Sequence, residues 1–221
     1  SHVLSGPNTM SGERCFDSLI AARAKGARAM DIGCGRGSLS RTLHTLGATS
    51  VYGFDISQHE VEQARSECSD LQGLSFGVHG AEAPIEGRFD LIVGRSILHH
   101  IDFREVVPRL YERNLAPAGR MIFMEPMSHP FTLAFHRLVR SAHTPDEWPL
   151  TPADIDWLGQ RFSVQVLPIN LLSFPAGILS SLLLQSPENI LMRLADAIDN
   201  SLGRRPFFRA RGRQGILLID R

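Results

Sequence analysis

The chain has 221 residues, 43% of them apolar, which is enough for one large domain with a substantial core. Its formal net charge is zero, which argues against a general nucleic-acid partner, because phosphate recognition draws on a basic excess. Three cysteines (Cys15, Cys34, Cys68) at unrelated spacings make neither a disulfide framework nor a metal site, so the expectation is a reducing, cytoplasmic compartment and no metal.

Taken in chain order, residues 1–10 read as a flexible N-terminus and 11–221 as one domain. The opening residues do not read as a signal peptide, and no apolar run reaches the roughly 18 residues of a membrane span. Residues 11–24 carry apolar side chains at helical spacing. Residues 29–32 form a first strand, 38–46 a helix ended by Gly47, and 50–54 a second strand. Ser57 with Glu60 predicts a capping box and a helix to about Cys68. Residues 74–78 and 89–93 are a third and a fourth strand, the latter apolar enough to be central. Asp102 and Glu105 begin a helix that Pro108 is expected to kink, and Ala118-Gly119 turns into a fifth strand over 120–124. This β–α alternation predicts a Rossmann-like α/β fold: a mostly parallel, seven-stranded sheet with helices on both faces.

Residues 127–149 hold His129, His136 and His143 and read as irregular; the histidines have no acid or cysteine in register and are not taken as metal ligands. Thr151-Pro152-Ala153-Asp154 is a helix start, 163–167 alternates like a strand, and 171–184 is almost wholly apolar. Residues 189–202 read as an amphipathic helix. The stretch 203–214 carries Arg204, Arg205, Arg209, Arg211 and Arg213 without an acid, and 215–220 closes the chain as a strand.

The most informative segment is Met30-Asp31-Ile32-Gly33-Cys34-Gly35-Arg36-Gly37, followed by Val51-Tyr52-Gly53-Phe54-Asp55. Alternating glycines let the backbone turn tightly and let a ligand approach it. A dinucleotide fingerprint needs glycine at the sixth position of G-x-G-x-x-G, where this chain has Ser38. Asp31, before the loop, would also repel a pyrophosphate, yet it suits a ligand with a cationic amine and a sulfonium. The spacing therefore favours S-adenosylmethionine.

Together with Gly80-Ala81-Glu82, Phe89-Asp-Leu-Ile-Val93, Ile97-Leu98-His99-His100-Ile101 and Leu115-Ala-Pro-Ala-Gly119, these pieces resemble the class I S-adenosylmethionine-dependent methyltransferases. The likeness is to the small-molecule group that includes the quinone-ring enzymes, and it covers residues 11–126. The resemblance implies that Asp31 and the backbone of Gly33, Cys34, Gly35 and Gly37 hold the methionine half of the cofactor. It implies that Asp55 takes the ribose hydroxyls, that Ile56 packs on the adenine, and that Ala81 and Glu82 read its edge. Arg95 is expected to offer its main-chain carbonyl. His100, and after it His99, are the candidates for a general base, since imidazole titrates near neutrality; packing within the turn is the competing reading. Cys34 reads as a small filler and not as a nucleophile.

The resemblance implies methyl transfer to a hydrophobic small molecule at oxygen, by direct displacement, in a biosynthetic role. Residues 127–162 and 170–212 are then substrate-cap elements, the second a helical insertion before the last strand. That insertion suits a dimer face, a peripheral membrane contact or an acceptor pocket. Two other readings stay open: a non-methylating cyclisation or rearrangement with the same cofactor, and a membrane-associated binding protein without catalysis.

Overall fold

The computed structural model describes residues 7–128, 149–169, 190–202 and 212–221. Helix α1 (Pro7–Ala24) starts on a proline, whose fixed φ and missing N–H suit a first helical turn. Residues 7–10, within the span 1–10 expected as an N-terminal segment, belong to this helix.

Strand β1 (Arg28–Ile32), helix α2 (Ser38–Thr45), β2 (Ser50–Asp55), α3 (Gln58–Glu67), β3 (Leu74–Val78) and β4 (Phe89–Arg95) follow as the alternation predicts. The Ser57 hydroxyl accepts from the Glu60 N–H at 3.3 Å and caps α3. The Glu60 carboxylate turns instead to Arg36 at 3.1 Å, so only half of the expected capping box forms.

Asp102 caps α4 (Phe103–Arg109) by accepting the Arg104 N–H at 3.1 Å. Pro108 lies inside this helix and has no N–H for the carbonyl one turn back. Directly after it the chain passes into a π-helical stretch, Leu110–Asn114. Strand β5 (Leu115–Pro126) starts at Leu115 and not at Arg120. Ala118 (φ 61°) sits within it as an irregularity, and the register against β4 shifts between Phe89 and Leu91. Helix α5 (Pro152–Gly159) carries a complete capping box between Thr151 and Asp154. Strand β6 (Ser163–Ile169), helix α6 (Ile190–Leu202) and β7 (Gln214–Asp220) follow.

The seven strands order as β3-β2-β1-β4-β5-β7-β6. Strands β1 to β5 pair in parallel, and β7 runs antiparallel to both β5 and β6. The parallel strands therefore present their carboxyl ends on one edge, where ligands sit in open α/β sheets.

Apolar residues cover both faces of the sheet. One layer joins Met30, Ile32, Phe54, Ile92 and Phe123 to Leu98, Val106 and Leu110. The other joins Ala29, Val51, Leu91, Val93 and Ile122 to Phe16, Ile20 and Leu43. Each fully buried Phe or Leu contributes roughly 1.5–3 kcal/mol.

His129, His136, His143, the apolar run 171–184 and Arg204 to Arg211 lie outside the described residues. Of the expected cap elements 127–162 and 170–212, α5 and α6 are described, and α6 lies against α1. Ala195 and Asp199 are buried, while Ile190, Leu194 and Ile198 form an exposed stripe along the helix. Among the described residues no helix is long and apolar enough to cross a membrane.

Candidate active site

Strand β1 delivers Asp31 to the middle of the sheet, opposite Gly53 of β2 and Val93 of β4. A Cβ on Gly53 would stand 2.9 Å from Ser40 Oγ and 3.0 Å from Cys34 Cβ. Without it, Ser40 of α2 reaches the strand and donates a 2.6 Å hydrogen bond to Asp31 Oδ2. Asp31 is 1% exposed. Burial, aided by the Asp55 charge and opposed by Ser40 and Arg95, pushes its carboxyl pKa up to about 7. A carboxylate so costly to ionise gains most from a cation placed beside it.

The chain then turns through Gly33, Gly35 and Gly37, with φ of 68°, 49° and 77°. Strand β2 holds this loop: Phe54 O accepts from the Gly33 and Cys34 amides at 2.9 Å, and Asp55 Oδ2 accepts from the Gly35 N–H at 3.0 Å. A Cβ on Gly33 would lie 2.8 Å from Ile97 Cδ1, and one on Gly37 3.0 Å from Phe76 Cζ. At Gly35 it would meet only Glu60 Oε2, at 3.8 Å. Left-handed φ and close packing together favour glycine at 33 and 37, whereas Gly35 keeps a space open beside the Asp55 carboxylate. Burial, then the charges of Asp31 and Asp55, push the Cys34 thiol far above its usual range, so it stays a neutral filler.

Asp55 closes β2. Its Oδ1 accepts from the Ser57 N–H at 2.9 Å, and each carboxylate oxygen keeps a lone pair for a further donor. Ile56 follows, 81% exposed: an uncovered apolar side chain beside an acceptor for hydroxyls. Beyond β3, the His79 N–H donates to Asp55 O at 3.1 Å and brings the loop containing Gly80, Ala81 and Glu82 to the same edge. Arg109, the last residue of α4, donates to the carbonyls of Ala81, Glu82 and Ala83, the latter two at 2.7 Å. Asn114 holds the next part of the loop through Ile85 O at 2.8 Å and Gly87 O at 3.0 Å.

At the end of β5 stands Glu125, fully buried. Its Oε1 accepts from the Ile97 and Leu98 amides, both at 2.9 Å, and its Oε2 accepts from His99 Nδ1 at 2.8 Å. These bonds shape the 3-10 turn Leu98–His100. Ser96, just before it, has φ 54°, held by its N–H on Met124 O at 2.8 Å. The His99 side chain is 7% exposed, while His100 is exposed, and the two rings lie 4.0 Å apart. Through Ile97 against Gly33, this turn packs on the glycine loop.

The Arg95 guanidinium points to α1, where it meets Glu13 at 2.8 Å and Asp17 at 3.6 Å and lies over the Phe16 ring. The role expected of Arg95 rests on its main chain, at the carboxyl end of β4. Sequence reasoning passes over Ser40, Arg109 and Glu125. Glu125 carries a legible signal, since it closes the apolar run Met121-Ile122-Phe123-Met124 as Asp55 closes β2. Ser40 and Arg109 have none, because both act through contacts distant in sequence.

A family model described as a methyltransferase domain matches residues 23–148. The chain belongs to this family, whose methyl donor is S-adenosylmethionine. Among curated relatives, it is 33% identical over 155 residues to the aklanonic acid methyltransferase DauC of Streptomyces sp. (strain C5), covering 63% of this chain and 69% of that protein. It is 33% identical over 103 residues to the ubiquinone biosynthesis O-methyltransferase of Caulobacter sp. (strain K31), covering 44% of this chain and 40% of that one. The chain thus spans less than half the length of the second relative. The fold resembles the crystal structure of magnesium protoporphyrin IX methyltransferase (ChlM) from Synechocystis PCC 6803 with bound SAH, with a TM-score of 0.63 and 19% identity. That match covers 97% of this chain and 85% of the other.

Proposed function

We propose that this chain transfers the methyl group of S-adenosylmethionine to a hydroxyl of a hydrophobic small molecule. The observation that carries the proposal is the pairing of buried Asp31 with the open space at Gly35 and the outward Asp55–Ile56 pair, all on one edge of the sheet. The donor set fits the cofactor: a buried carboxylate for a cation, a second for ribose hydroxyls, an exposed apolar side chain for a base. It does not fit a pyrophosphate, which buried Asp31 would repel.

The cofactor supplies an electrophilic methyl on sulfur. Asp31 and the backbone of Gly33, Cys34, Gly35 and Gly37 hold the methionine half, and Asp55 binds the ribose. Ile56 packs on the adenine, Ala81 and Glu82 read its edge, and Arg95 offers its carbonyl. Alignment of an acceptor oxygen with the S–CH₃ bond provides most of what such a displacement needs. The hydroxyl proton then passes to an imidazole, His100 being exposed and His99 held beside it. With Glu125 accepting at Nδ1, the free lone pair of His99 lies on Nε2.

The relatives' names support a small-molecule acceptor and, in the ubiquinone case, oxygen as the methylated atom. The exposed stripe Ile190, Leu194 and Ile198 supports reading 170–212 as an apolar cap for a hydrophobic acceptor.

Purified protein incubated with S-adenosylmethionine and a panel of phenols and quinols tests the proposal. S-adenosylhomocysteine released only when an acceptor is present is the expected result. A transformed acceptor without S-adenosylhomocysteine overturns it in favour of rearrangement chemistry, and absence of cofactor binding overturns it altogether.

A further inference from the structure

The Arg109 guanidinium directs three of its five N–H donors to successive carbonyls of one loop, Ala81, Glu82 and Ala83. In a trans peptide the N–H points opposite to the carbonyl. Turning the Ala81 carbonyl toward Arg109 therefore turns the Glu82 N–H away from it. The next amide, Ala83, already donates to Gly80 O at 3.2 Å, and Pro84 has no N–H. The loop is thereby fixed with the Glu82 N–H directed away from Arg109. The Glu82 carboxylate returns over Gly80, where a Cβ would lie 2.7 Å from Oε2.

Arg109 Nε is buried without a hydrogen-bond acceptor among the described residues. A charged group with one donor unsatisfied carries a desolvation cost that the three main-chain bonds must offset. This arginine is committed to the loop. Its aim is set by the fold: it is the last residue of α4, placed between Pro108 and the π-helical stretch Leu110–Asn114, so a change of winding at this point would swing it off the loop.

We propose that Arg109 is a positioning residue for the cofactor's base. It touches neither cofactor nor acceptor and holds the 81–83 backbone so that the Glu82 N–H and carboxylate form the donor–acceptor pair that selects a 6-amino purine. The inference rests on the reading of Ala81 and Glu82 as the adenine-edge contact.

The test compares S-adenosyl-L-homocysteine with S-inosyl-L-homocysteine, which differs only at the base edge, by calorimetry on wild type, Arg109→Met, Arg109→Lys and Glu82→Ala. Wild type is expected to prefer the adenosyl ligand by about tenfold or more, as a hydrogen-bonding site rejects a mismatched edge. Arg109→Met is expected to lose most of that preference, and Arg109→Lys, with a single ammonium, to recover part of it. If Arg109→Met lowers thermal stability but keeps the preference, while Glu82→Ala loses it, Arg109 is merely structural; the proposal falls and the adenine reading stands. If both variants keep the wild-type preference, the adenine reading itself falls and takes the proposal with it.

Discussion

Glu125 Oε2 accepts a hydrogen bond from His99 Nδ1 at 2.8 Å, while its other oxygen accepts two backbone amides. One buried carboxylate thus shapes the turn after β4 and fixes the tautomer of the histidine within it. Removing it in Glu125→Ala orphans three buried donors and should cost about 2–4 kcal/mol of stability, measured by urea unfolding. Glu125→Gln keeps an oxygen for the amides but sets an NH₂ group against Nδ1. It should therefore keep most of the stability while slowing methyl transfer at least about tenfold. Equal stability of wild type and the alanine variant would contradict this picture.

The two histidines can be separated. His100→Ala should lower kcat about a hundredfold while leaving cofactor affinity unchanged. A kcat equal to that of wild type would show that His100 accepts no proton.

Gly35 and Gly37 differ in what surrounds them. Gly37→Ala forces a left-handed φ of 77° onto a residue whose Cβ would press on Phe76 and Ala64. It should cost about 2–4 kcal/mol of stability. Gly35→Ala meets almost nothing and should cost only about 1 kcal/mol, yet it should weaken S-adenosylmethionine binding more strongly than its stability cost implies. Denaturation and calorimetry on both variants provide the comparison.

Asp31 should make the stability of the fold depend on pH. Its pKa of about 7 lies above the ordinary value, so between about pH 4 and 7 the folded protein binds more protons than the unfolded chain. The contribution of Asp31 to stability is complete below that window and is lost as pH rises through it. Asp31→Asn should remove this slope from the melting temperature between pH 4 and 8. A cationic amine favours the ionised carboxylate, so cofactor affinity should rise with pH up to about 7 in wild type and stay flat in the variant.

Asp55→Ala removes the expected ribose contact and the anchor of the Gly35 amide together. The Kd for S-adenosylhomocysteine should rise about a hundredfold. Wild-type affinity in this variant would show that the ligand does not sit on β2.

The sequence by itself determined the sheet and its glycine loop. Strand periodicity, the cap at Ser57, Gly47 after α2 and the acids at 31 and 55 are local signals, readable from neighbouring residues. Only the tertiary structure decided what supports them. Ser40 reaches Asp31 because Gly53, on another strand, leaves room for it. Arg109 holds residues 81–83 across a helix, and Glu125 organises a turn from the next strand over. The π-helical stretch after Pro108 was likewise settled by backbone satisfaction, against a weak local pattern. Periodicity and capping are short-range, whereas a buried polar group is satisfied by whichever partner the folded sheet brings within 3 Å, and that partner leaves no mark at a fixed sequence spacing.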